Sequence, residues 1–162
     1  MNHWYVLDVT PEEELSVSQA LSDIQIDHYV PMESRAFRMG RKGGKCLAIE
    51  VPMLTGLLFL TAEITIALTV RERIADPKIK RHVEGLWCDG QSMPLMVNQR
   101  ELARFRSEVD AYLELCRQNI AKGLRMPAKP KALKFNMADL QDEKVKAKAM
   151  QKLFGILENE TP

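Results

Sequence analysis

Pro52-Met53-Leu54-Thr55-Gly56-Leu57-Leu58-Phe59-Leu60 is the stretch on which the fold turns. Four consecutive apolar side chains follow Gly56, where a strand with one wet face shows a polar residue at alternate positions. Leu57 to Leu60 therefore reads as a central strand covered on both faces. Just upstream, Asp27 to Pro31 reads as a strand, and Arg35, Arg38, Arg41, Lys42 and Lys45 follow with no acidic residue among them. Gly40, Gly43 and Gly44 supply the backbone freedom of a long hairpin tip, and Cys46 to Val51 returns as its second arm.

Further upstream, Trp4 to Val9 is rich in aromatic and branched residues and reads as a strand buried on at least one face. Thr10, Pro11 and Glu13 spell a capped helix start of the Thr-x-x-Glu type. Val17, Ala20, Leu21 and Ile24 then form one apolar stripe that lets the helix lie on a sheet.

Downstream, Ile66, Val70 and Ile74 predict a short helix ending before Pro77, and Ile79 to Val83 predicts a strand. From Asn98, a cap with Glu101 three residues on, Leu102, Phe105, Val109, Tyr112, Cys116 and Ile120 trace a long helical stripe that Gly123 terminates. Gly123 to Lys134 holds Pro127 and Pro130 among basic residues and reads as a linker. In the tail, Val145, Ala149, Leu153 and Leu157 line one face of a helix whose acidic residues precede its lysines.

A chain of 162 residues, 46% hydrophobic and 28% charged, suffices for one core but not for two ordinary domains. We expect a domain over residues 1–122, a basic linker over 123–135 and a helical tail over 136–162. Twenty-three basic against 22 acidic side chains give a formal charge of +1, so the total demands no polyanionic partner. Cys46, Cys88 and Cys116 lack the spacing of a zinc site or disulfide framework, which fits a reduced cytoplasmic compartment. Glu12 to Glu14 argue against a secretory signal. Glu63 and several threonines interrupt the most apolar region, Val51 to Val70, so no membrane association is expected.

Catalytic signals are absent. His3, His28 and His82 are scattered, without a phosphate loop or serine elbow. In Trp87-Cys88-Asp89-Gly90 the last two residues are an ordinary turn signal, and Cys88 is expected as a small buried apolar group. No enzyme activity, catalytic residue, metal or cofactor is expected.

The order strand, helix, strand, basic hairpin, apolar strand, helix and closing helix resembles the N-terminal domain of the NusG family of transcription elongation factors. Five marks fall in family order: Trp4-Tyr5-Val6, Val30-Pro31, the glycine-containing strand at Gly56, the proline at Pro77, and Met96-Val97-Asn98 before Glu101-Leu102. The resemblance spans roughly residues 3 to 110 and implies an α+β sandwich with a mostly antiparallel sheet and a helical C-terminal extension. It also implies a non-enzymatic factor that docks on the clamp helices of RNA polymerase through an apolar depression of the sheet. By position, the family's Phe-Pro-Gly-Tyr segment corresponds to Leu54-Thr55-Gly56-Leu57, so the docking candidates are Val6, Asp8, Leu54, Leu57 and Phe59. Asp8 stands where the family usually has an uncharged side chain. Arg35, Arg38, Arg41, Lys42 and Lys45 are the nucleic-acid candidates, placed near upstream or non-template DNA.

Nothing after Gly123 has the pattern of the family's small C-terminal KOW barrel. The resemblance is therefore to a specialised paralogue of the RfaH type, acting on particular operons or on phage and plasmid transcripts. The tail helix has three readings: packing on the domain, binding a partner, or covering the docking surface until released. Two other function classes stay open, a small adaptor using that helix and a sequence-tolerant nucleic-acid binder. The oligomeric state is left open.

Overall fold

Strand β5 (Leu57–Ala62) runs antiparallel between β1 (His3–Val9) and the short β2 (His28–Tyr29), as its uninterrupted apolar run requires. The computed structural model describes residues 1–38, 46–89 and 91–133. β6 (Val83–Leu86) and β7 (Met96–Val97) both pair antiparallel with β1, completing a five-stranded sheet in the order β2-β5-β1-β6 with β7 beside β1. β3 (Met32–Arg38) and β4 (Cys46–Pro52) form a separate two-stranded ribbon. The fold is α+β and antiparallel, as the resemblance implies.

Alternation divides the sheet residues between two cores. Tyr5, Leu7, Val9, Leu58, Leu60 and Ala62 face one side. There they meet Val17 and Leu21 of α1 (Glu14–Asp23), Ala67 of α2 (Ile64–Leu68) and Val70 of α3 (Val70–Arg73). Val6, Leu57, Phe59 and Tyr29 face the other side, under α5 (Gln99–Ala121), which contributes Leu102, Phe105, Val109, Tyr112, Leu113 and Cys116. Each fully buried leucine or phenylalanine contributes about 1.5–3 kcal/mol of burial free energy. α5 starts as read: the Asn98 side chain accepts from Arg100 N at 3.0 Å and Glu101 N at 3.2 Å.

Several local expectations fail. α1 begins at Glu14 rather than beside Thr10, and its N-cap has no side-chain hydrogen bond. Glu13 N donates to Thr10 O, while the buried Glu14 carboxylate accepts from Glu12 N at 3.3 Å and Gly56 N at 2.7 Å. Glu14 thus ties the helix start to the β5 turn, and Glu12 takes φ +73 to let the chain pass. Gly56, at φ +82, sits in the left-handed region that a glycine adopts without strain.

The helix predicted around Ile66 to Ile74 is broken at Thr69, whose hydroxyl donates to Thr65 O at 2.8 Å in competition with the helical ladder. Ile79 and Lys80 belong to a helical turn, α4 (Pro77–Lys80), because Asp76 caps Lys78 N at 2.9 Å and Pro77 suits the first helical position. The strand starts only at Val83. Asp27 to Pro31 is a strand only over His28–Tyr29. Cys88, expected inside, is exposed, whereas Cys116 is buried.

The expected linker packs against the domain. Residues 131–133 form a 3-10 turn, and Leu133 is 0% exposed. The tail expected over 136–162 lies outside the described residues.

Candidate functional site

The docking candidates converge on one sheet face, as the two-residue alternation requires, but that face is covered. Val6 and Phe59 are 0% exposed, and Leu54 and Leu57 1%, all within the core cluster closed by α5 and by Leu133. In this arrangement they are core side chains rather than an open surface. The physical reason is α5, whose apolar stripe matches theirs along the width of the sheet. Asp8 is half-buried and accepts a hydrogen bond from Trp87 Nε1 at 2.8 Å, so the charge that departs from the family pattern is satisfied within the domain.

A hollow of about 190 Å3 lies between α5 and the β2 edge, lined by Trp4, Tyr29, Gln99, Leu102, Ala103 and Arg106. Tyr29 stacks on Phe59 with ring centroids 6.3 Å apart, and the Arg106 guanidinium sits 4.7 Å over its ring, within cation–π range. The buried Tyr29 hydroxyl has no hydrogen-bond partner among the described residues. Burial pushes its pKa well up, the nearby Asp110 carboxylate adds to that, and Arg106 opposes it.

The basic hairpin resolves into different parts. Arg35 is held by Glu33, its Nη2 2.9 Å from Oε1, and Lys129 Nζ lies 2.5 Å from Glu33 Oε2. Glu33 is 8% exposed, so this is a largely buried carboxylate shared by two cations. Arg38 closes β3 opposite Cys46, while Arg41, Lys42 and Lys45 lie outside the described residues.

A basic patch that the sequence reading passed over lies on the other side of the sheet. It comprises Arg71 and Arg73 of α3, Lys78 and Lys80 of α4, and Arg81; Arg71 Nε donates to Lys80 O at 3.3 Å, linking the two helices. None of the five forms an ion pair among the described residues, whereas Arg35, Arg104, Arg117 and Lys129 all do. Its signal was in the sequence: between residues 70 and 81 five cations outnumber Glu72 and Asp76.

Of the three histidines, His28 ties two elements together. His28 contacts Ile26 O at 2.9 Å through Nδ1 and Ser18 Oγ at 2.6 Å through Nε2, pinning β2 to α1. No group of three or more His, Cys, Asp or Glu among the described residues is placed to hold a metal. No helix among them is long and apolar enough to cross a membrane.

No curated protein matches the chain. The family described as "Transcription termination factor nusG" matches residues 2–106, which takes in every strand and the first turns of α5. With a match over more than half its length and the α+β, antiparallel architecture described above, the chain belongs to the NusG family of transcription factors.

Proposed function

We propose that this protein is a non-enzymatic, cytoplasmic transcription elongation or antitermination factor that binds RNA polymerase and favours processive synthesis on particular operons or mobile elements. Family membership over residues 2–106 carries this reading. Docking on the α5 side of the sheet is supported by the open hollow beside Tyr29, lined by Trp4, Ala103 and Arg106. The opposite side, whose five cations between residues 71 and 81 form no ion pair among the described residues, suits phosphate contacts to DNA, which need accessible rather than internally paired guanidinium and ammonium groups. A polymerase held on one side leaves the other turned toward nucleic acid.

Retention on immobilised core RNA polymerase tests the reading. Leu57→Asp and Phe59→Asp are poor probes, because a charge at a site 0–1% exposed unfolds the domain. Gln99→Glu and Ala103→Glu change exposed positions lining the hollow and leave the core intact. Wild type retained and Ala103→Glu weakened is the expected result. Failure of folded wild-type protein to bind core polymerase refutes the proposal.

A further inference from the structure

Strand β4 pairs with β3 in an unbroken register from Met32↔Pro52 to Arg38↔Cys46, and among the described residues no third strand joins this ribbon. The far edge of β4 therefore carries backbone amides and carbonyls without a ladder partner there. Soluble proteins blunt such edges with lysine, proline, a bulge or a cover. The stretch Leu47-Ala48-Ile49-Glu50-Val51 contains no lysine, proline or bulge. Its single charge, Glu50, is already held by Arg117 of α5, through Nε at 2.5 Å and Nη2 at 2.9 Å. Leu47, Ile49 and Val51 alternate with Glu50 and so stand on the opposite face of the ribbon. Leu47 is 48% exposed there and Ile49 46%. β3 makes a poorer edge, since Glu33, Arg35 and Arg38 punctuate it with charge.

We infer that β4 is a self-pairing edge, and that its occupant is β4 of a second copy of this chain, antiparallel about a two-fold axis at Ile49. The residues themselves select that partner. Two identical edges meet only in registers that keep residues of the same face opposite each other. Centred on Ile49, the pair sets Leu47 against Val51 of the second copy, so the three apolar side chains of each copy merge into one strip. Glu50 then faces Ala48 of the second copy, and the two carboxylates stay apart. A pair centred on Glu50 would bring them face to face, which is destabilising. Pro52, with no amide to donate, bounds the paired stretch. The product is a four-stranded sheet in which the two β4 strands lie inside and the charged β3 strands outside.

Sedimentation equilibrium of the full chain tests the pairing. The weight-average mass should climb from one chain toward two between roughly 1 and 100 μM, because so short a seam lies well below the area of a tight interface. Ile49→Lys and Ile49→Glu each set two like charges at the axis and should weaken association roughly tenfold. Position 49 is exposed, so both variants should keep the wild-type melting temperature. Mixing the two in equal amounts sets lysine against glutamate at the axis and should restore association to the wild-type level. Wild-type protein that stays at the mass of one chain throughout overturns the inference, whatever the variants do. So does association that Ile49→Lys leaves unchanged, which would place the contact on another surface. A folded mixture that fails to associate where wild type does overturns the axis at Ile49, and masses climbing past two chains overturn a closed pair.

Discussion

The two sides of the five-stranded sheet are built from the same strands yet differ in kind. On one side, short helices α1 to α3 seal the core with Val17, Leu21, Ala67 and Val70, and beyond them lie five cations that form no ion pair among the described residues. On the other side a single long helix and a returning segment cover the apolar face, and three cations there are held by carboxylates: Arg35 and Lys129 by Glu33, Arg117 by Glu50. The difference teaches that one set of strands can be sealed by several short helices on one side and by a single long helix on the other. On one side the Glu14 carboxylate ties the start of α1 to the turn before β5; on the other α5 and Leu133 close the core.

The comparison can be broken most forcefully at β5, which serves both sides. Phe59→Ala should cost about 3–5 kcal/mol, as for large buried aromatics, and Leu58→Ala about 2–5 kcal/mol on the opposite side. Equal losses in urea denaturation make the two cores one cooperative unit, and separate transitions would divide them. Glu14→Ala removes the acceptor for Gly56 N and should cost about 1–3 kcal/mol, the penalty of a buried donor left without a partner. The loss should appear in the denaturation midpoint without a change in slope.

Asn98→Ala, which uncaps α5 only, should cost about 1 kcal/mol, read as a lower melting temperature. Alkaline pH sharpens the contrast further. Burial raises the phenols of Tyr5 on one side and Tyr29 on the other, while Tyr112, which holds Pro127 O, is pushed up to about 12, chiefly by burial and then by its bond to Cys116. Each phenol keeps its proton more tightly folded than unfolded. Their contribution is therefore complete below pH 10.0, the unfolded value, and is lost as pH rises through the folded values. Tyrosinate absorbance at high pH should accordingly lag that of the urea-unfolded chain. The smallest effect on stability belongs to the exposed cations: Lys78→Gln with Arg81→Gln should stay within about 0.5 kcal/mol of wild type. The same pair should lower the salt dependence of any DNA binding measured by fluorescence anisotropy.

Much of this was legible from residue spacing. The central position of Leu57 to Leu60, the return arm from Cys46 and the Asn98 cap of the long helix follow from alternation, glycine placement and capping chemistry, each a local rule. The start of α1 was misread because Glu14 spends its carboxylate on Gly56, 42 residues away. Ile79 to Val83 read as a strand only from the branched residues at its two ends, and the Asp76-Pro77 cap starts a helical turn there instead. At the candidate site, the sequence brought Val6, Leu57 and Phe59 to one face but did not show their cover. A leucine after a proline-containing basic stretch carries no periodic signal that would place Leu133 in the core. The cations of residues 71–81 were readable as a charge run. That they form no ion pair among the described residues emerges only where chain segments meet.

The length of α5 carries one more consequence. Twenty-three helical residues rise roughly 34 Å, while a six-residue strand such as β5 extends roughly 20 Å, so the helix outruns the sheet. Its far portion meets the two-stranded ribbon, where the Arg117 fork grips Glu50 with Nε and Nη2 at 2.5 and 2.9 Å. α5 is thus a strut between two separately paired pieces of β structure. The ribbon's bearing relative to the main sheet is set by this brace as well as by the short connectors at residues 30–31 and 53–56. Shortening the strut by one turn would swing the ribbon without unpairing a single strand.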